Sequence, residues 1–378
     1  MRDNNETPQT PRGERRMYMS NPRVSVGLPV FNGGNYLQRS VHSILAQDYE
    51  DLELVISDNA STDETESICR DMAARDSRIR YCRNEANIGA ARNYNKVFGL
   101  SRGEYFKWAA HDDECHQAMV RRCVEVLDRA PASVTMVYPL GKLIDEHGTT
   151  LASPLDRIES RDPRPHRRLA HLIWSLNMCD PVFGLYRAEY LRKTQLIGPF
   201  CGPDYVLLGE LVMMGEIWEL DEVLFRLRAH PGRSMQANRN IRARTAWHDP
   251  AAATRLFLLP VWEQMVWELL KAARRSHLAP AEKLKCCVVI PSVHYWRRFK
   301  NAGGRLKTRL RSALSGANAE AERPSCNKDV RHGKVSRHIP ETLNPQALCD
   351  QADRPFALGS EGTALSSRTR PPGSSPVS

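Results

Sequence analysis

Several kinds of segment are missing from this chain of 378 residues, and each absence removes a class of protein. No apolar run reaches the roughly 18 residues that a bilayer-crossing helix needs, which excludes an ordinary membrane span. Residues 1–22 are polar, without the apolar core of a secretory signal, so a cytoplasmic location is expected. The ten cysteines never form C-x-x-C, which argues against zinc ribbons and dithiol redox motifs. Several stand at apolar positions of helical patterns and read as reduced thiols. Basic residues gather toward the C-terminus rather than along an aromatic-lined groove, so no nucleic-acid partner is expected.

What is present points to a globular protein with an anionic partner. A hydrophobic content of 41% can fill the core of one large domain or two. Basic residues number 54 against 44 acidic ones, and the resulting +10 suits nucleotide phosphates or an acidic membrane surface. Residues 24–30, 52–57, 79–82, 105–109 and 134–138 read as apolar strands. Between them lie helical patterns such as Leu37, Val41, Ile44 and Leu45. Strands that are apolar throughout and alternate with helices imply an α/β fold, a mostly parallel sheet covered on both faces. Ser61-Thr62-Asp63-Glu64 has the spacing of a capping box. The expected organisation is a disordered lead-in over 1–22, an α/β domain over 23–235, a helical extension over 236–312 and a disordered tail over 313–378. Within the extension, 295–311 is basic and aromatic, which fits either a solvated helical face or peripheral contact with an anionic membrane.

The stretch Trp108-Ala109-Ala110-His111-Asp112-Asp113-Glu114 sets two adjacent carboxylates at a strand exit. Such a pair repels itself unless positive charge stands nearby. It either precedes the helix starting near Met119 as a cap, or holds a divalent cation together with phosphate oxygens. Asn32, Asp58 and Asp112-Asp113 all fall at the carboxyl ends of expected strands, where ligands of open α/β sheets bind. That convergence favours a site.

In order along the chain stand Leu28-Pro29-Val30-Phe31-Asn32-Gly33, Ser57-Asp58-Asn59-Ala60-Ser61-Thr62-Asp63, Asn87-Ile88-Gly89-Ala90-Ala91-Arg92-Asn93 and Gly103-Glu104-Tyr105 before the acidic pair. This ordered set resembles the inverting family 2 glycosyltransferases of GT-A fold over about residues 23–235. The resemblance implies that Pro29, Phe31 and Asn32 line a base pocket, and that Asp58 accepts hydrogen bonds from base or ribose. It implies that Asn87 and Gly89 shape a loop over the nucleotide, with Arg92 reaching a phosphate. Asp112 and Asp113 match the family's acidic motif, with Asp113 ligating Mg²⁺ or Mn²⁺. The commonest pattern has a further Asp where Ala110 stands here. Arg226-Leu227-Arg228-Ala229-His230 resembles the R-x-H segment, so His230 is an expected metal contact and Arg228 neutralises charge. Asp204 matches the catalytic base, and a helix N-cap role for it is compatible with that.

The implied partners are a nucleotide-diphosphate sugar and a glycan or lipid-linked acceptor, and cell-envelope or exopolysaccharide assembly is the expected setting. Two alternatives stand beside this. One is a binding protein for nucleotide sugars or polysaccharide that has lost catalysis. The other is a nucleotidyltransferase, against which the missing glycine-rich phosphate loop at residues 28–32 counts.

Overall fold

The computed structural model describes residues 21–321 except 154, 239, 255 and 256, with backbone alone beyond Lys300. The disorder expected for 1–20 and 322–378 lies outside the described residues.

Strands β1 (Val24–Val30), β2 (Leu52–Asp58), β3 (Ile79–Arg83) and β4 (Tyr105–Trp108) alternate with helices α1 (Leu37–Leu45), α2 (Thr65–Arg75) and α3 (Ala90–Leu100). Every residue of β1 and β2 is buried, the polar Ser25, Glu53, Ser57 and Asp58 included, as in strands covered on both faces. The four strands pair in parallel, with Val30 opposite Asp58 and Asp58 opposite Arg83.

Beyond Trp108 come β5 (Glu114–Cys115), α4 (Met119–Arg129), β6 (Val134–Ile144), β7 (Thr150–Ala152), α5 (Pro165–Ser175), β8 (Leu185–Arg187), α6 (Ala188–Leu191), α7 (Pro203–Met214) and β9 (Glu216–Arg228). The sheet order is β3-β2-β1-β4-β8-β6-β9-β5, with β7 on β6. Three-residue β8 runs antiparallel between β4 and β6. The sheet is therefore parallel in its first half and mixed in its second, because antiparallel neighbours need no helical crossover.

The extension holds α8 (Ser234–Ala237), α9 (Ile241–His248), α10 (Val261–Arg275) and α11 (Pro280–Ala321). Helix α10 has Pro260 as its N-cap. Residues 284–290 belong to α11, which runs to Ala321 and so corrects the disorder expected from 313. Ala313, Leu314, Ala317 and Ala319 are good helix formers, and no proline follows until Pro324.

One core lies on each face of the sheet. Leu28, Leu37, Val41, Leu54 and Val124 build the first with α1, α2 and α4. In the second, Leu269 and Ile290 of the extension share a cluster with Leu169, Leu172 and Leu208. Each such side chain contributes about 1.5–3 kcal/mol by leaving water, so α10 and α11 are fastened to the sheet rather than tethered to it. Helix α7 is buried continuously from Tyr205 to Met213 and is apolar on all sides.

Candidate active site

Two loops at the carboxyl ends of β1 and β2 are laced together. Asn32 adopts φ 51°, its Oδ1 accepts from the Thr62 amide at 2.9 Å, and its own amide donates to Ser61 Oγ at 2.9 Å. Ser61 is thereby committed to the loop rather than to the expected capping box. Helix α2 begins at Thr65, whose amide is accepted by Asp63 Oδ1 at 3.1 Å.

Asp58 is fully buried and does not line the cavity expected to use it. The register that sets β3 beside β2 brings Arg83 Nη1 to Asp58 Oδ2 at 2.7 Å and Tyr81 Oη at 3.0 Å. Its Oδ1 accepts from the Ser61 amide at 2.9 Å. The carboxylate holds the loop, and the cavity position falls to its neighbour Asn59. Asn59 Nδ2 donates to Asn87 Oδ1 at 2.8 Å, and Asn59 Oδ1 accepts from the Ile88 amide at 3.0 Å. Pro29, Phe31, Asn32 and Asn87 line the cavity, whereas Arg92 is exposed on α3 and is not part of the lining. Gly89 takes φ 85° at the head of α3, and a Cβ there would stand 2.6 Å from the His248 carbonyl oxygen. Only glycine lets the two backbones approach so closely.

The acidic pair is held from β9. His230 Nε2 meets Asp112 Oδ2 at 2.9 Å, with the His230 ring packed 4.7 Å from that of Tyr36. Asp113 Oδ1 accepts from the Arg228 amide at 2.8 Å. The buried Arg228 guanidinium binds Glu114 and the carbonyls of Asp112, Asp145 and Glu146, so it fixes the turn instead of facing the pair. Burial alone would raise the Asp112 carboxyl, but the His230 hydrogen bond and the charges of His111 and Arg233 hold it at about 2. Burial and the adjacent Asp112 charge push Asp113 well above the usual carboxylate range. The pair carries strained negative charge that a cation would relieve.

Among the described residues no three His, Cys, Asp or Glu side chains converge as a metal cage. Two carboxylates fit Mg²⁺ or Mn²⁺ in the other common mode, in which substrate phosphates complete the shell. His230 Nε2 is in hydrogen-bond contact with Asp112 Oδ2, a geometry that orients this carboxylate.

Asp204 enters the cavity from the first turn of α7. Gly202 at φ 76° is the N-cap, so Asp204 is the second helical residue and not the expected cap. Its Oδ1 accepts from the Tyr205 amide at 3.0 Å. Burial raises its pKa above the ordinary value against the lowering effect of that bond. Glu210, further along, accepts from the Gln195 amide and from Arg275 at 3.1 Å, fastening α7 to α10.

All of this surrounds one cavity of about 650 Å³, lined by Asn32, Asn59, Asp112, Asp113 and Asp204 together with Trp247 and Trp262 of the extension. Tyr94, also in the lining, has its hydroxyl pushed above the usual range by burial and by the charges of Asp112, Asp113 and Asp204. One phenol thus senses all three carboxylates. Asn59, Tyr94 and Arg233 escaped the sequence reading. Asn59 directly follows Asp58 and Arg233 follows the turn after His230, whereas nothing local distinguishes Tyr94.

Residues 25–194 match the family model described as Glycosyl transferase family 2. Over that segment, a little under half of the chain, the protein matches that family. An uncharacterized glycosyltransferase of Rickettsia prowazekii is 31% identical over 218 residues, 55% of this chain and 64% of that protein. One of Rickettsia felis is 36% identical over 133 residues, 34% of this chain and 21% of its own length. The chain thus spans less than two thirds of the length of these relatives. The Staphylococcus aureus protein TarS (residues 1–349, crystallised with UDP-GlcNAc) superposes with a TM-score of 0.53 at 16% identity, covering 72% of each chain. That likeness is one of fold, a GT-A sheet flanked by helices. The family match ends at Thr194, before Asp204, His230 and the cavity wall from the extension.

Proposed function

We propose that this protein is an inverting glycosyltransferase, moving a sugar from a nucleotide-diphosphate sugar to a hydroxyl of a glycan or lipid-linked acceptor. The observation that carries the proposal is the meeting of Asp112, Asp113 and Asp204 around one cavity whose other end is an asparagine-lined pocket at the strand ends. Asn32, Asn59 and Asn87 offer amide donors and acceptors suited to a base and ribose. A divalent cation on Asp113 and Asp112 would neutralise the leaving diphosphate. His230 orients Asp112 for that task.

Asp204 is the proposed base. As the acceptor oxygen bonds to the sugar C1, its proton passes to the Asp204 carboxylate, and the C1–O bond to the diphosphate breaks with its electron pair. The apolar walls raise the basicity of Asp204 without requiring a second acid, since the diphosphate leaves as an anion. A thermal-shift screen of uridine, guanosine and thymidine diphosphosugars with Mg²⁺ or Mn²⁺ tests the proposal. A metal-dependent shift with turnover is expected, and Asp204→Asn should keep the shift and lose turnover. A shift without turnover in the unaltered protein would favour a binding protein instead, and no shift with any donor would sink both.

A further inference from the structure

Helix α11 carries apolar side chains on two opposite faces. Cys286, Ile290 and His294, at i, i+4 and i+8, are buried against the body of the protein. Across the helix, Leu284 (66% exposed), Val288 (57%), Trp296 (58%) and Phe299 (72%) form a stripe beside Tyr295. The Trp296 and Phe299 rings stack at 6.1 Å, and Lys300 Nζ lies 5.1 Å from the half-exposed ring of Trp174 on α5. Single exposed apolar residues are ordinary, but a contiguous stripe marks a surface that something covers.

Charge identifies the occupant. No Asp or Glu occurs between Lys283 and Ala319, while Arg297, Arg298 and Lys300 flank the aromatic residues and Arg305, Lys307, Arg309 and Arg311 follow on the same helix. Ion pairs with Glu282 and Glu263 engage Lys285 and Arg298, and the stretch stays strongly positive. A second copy placed on this face would set like charge against like. Tyr, Trp and Phe amid Lys and Arg suit the headgroup layer of an anionic bilayer. Among the described residues no helix is long and apolar enough to cross a membrane, so the contact would be peripheral.

We propose that α11 docks on an anionic lipid surface, with the stripe at headgroup level and the basic residues on lipid phosphates. The docking helix is also part of the cavity wall. Arg297 Nη1 donates to the carbonyls of Ile173 and Leu176, each at 2.7 Å, and Trp262 packs 5.1 Å from His294. Leu176, Trp262 and Arg297 all line the cavity. Docking therefore brings the acceptor end of the site to the bilayer, where a lipid-linked acceptor would reside. The proposal goes beyond the transferase reading and is tested separately from it, because vesicle binding requires no sugar transfer.

The test is co-sedimentation of the full chain with phosphatidylcholine vesicles, with and without phosphatidylglycerol. Binding to the anionic vesicles alone is expected, with a blue shift of tryptophan fluorescence and release by high salt. The Trp296→Ser/Phe299→Ser double variant should partition about tenfold more weakly while keeping its melting temperature and its response to nucleotide sugar. Phe299→Ser alone, at the most exposed position, serves if the double variant misfolds. Absence of sedimentation, or equal binding to both vesicle types, would overturn the proposal. So would a concentration-dependent dimer, seen by light scattering and lost in the double variant, which would give the stripe to a second copy.

Discussion

The two ends of the cavity are built by different means. At the end proposed for the nucleotide, loops following neighbouring strands are tied by backbone amides to Asn32, Asp58, Ser61 and Asn59. At the end proposed for the acceptor, the walls come from α7, α9, α10 and the loop before Asp180, brought together by packing of helices distant in sequence. The first kind of site is written in short motifs and needs little of the rest of the chain. The second exists only once the whole domain has condensed.

Substitutions can break or sharpen this contrast. Asp204→Asn should cost the most, on the order of 10²–10⁴ in turnover, as removal of a general base does. If the two ends are independent, nucleotide-sugar affinity by calorimetry will not change. Asp113→Ala should lose about a hundredfold of metal-dependent turnover, whereas His111→Ala stays near the unaltered rate in the same Mn²⁺ titration. Gly89→Ala strikes the seam between the ends, since its Cβ would meet the His248 carbonyl. Left-handed strain and the clash should destabilise the fold by about 1–3 kcal/mol, seen as a lower urea midpoint, with weaker nucleotide binding as well.

The smallest effect concerns Asp180, whose carboxyl is pushed up to about 8 by burial and by the Asp156 charge. Its folded-state pKa is raised, so the folded protein binds the extra proton, and stability falls as pH rises from about 4 to about 8. Asp180→Asn should flatten that fall, raising the melting temperature by a few degrees at pH 8 and little at pH 5. Asp204 is also raised, so turnover should decline on the acid side above the ordinary carboxylate range.

Legibility in the sequence follows the same division. Unbroken apolar runs disclosed β1, β2 and β4, and turn residues between them marked the strand ends where Asn32 and Asp112-Asp113 stand. For Asp58 the motif gives a place at a strand end but says nothing of the neighbour across the sheet. Only the β2–β3 register reveals that Arg83 and Tyr81 claim its oxygens. The Gly202-Pro203 approach to Asp204 signalled a helix start, yet the left-handed glycine takes the cap itself. Trp247, His248 and Trp262 carried no local signal, because their place in the wall depends on how α9 and α10 pack.

Helix α7 makes the family-matched segment and the extension one thermodynamic body. Its buried run from Tyr205 to Met213 fills the space between the sheet and the outer helices, and it begins after the family match has ended. A fragment stopping at residue 194 would uncover the side of Leu169, Leu172 and Tyr186 that α7 and the extension close off. Such a fragment is expected to be less stable than the intact chain, which a urea titration of the two would check. Chemical denaturation of the intact protein should show a single cooperative transition, in which losing the helical extension and losing the donor pocket are the same event.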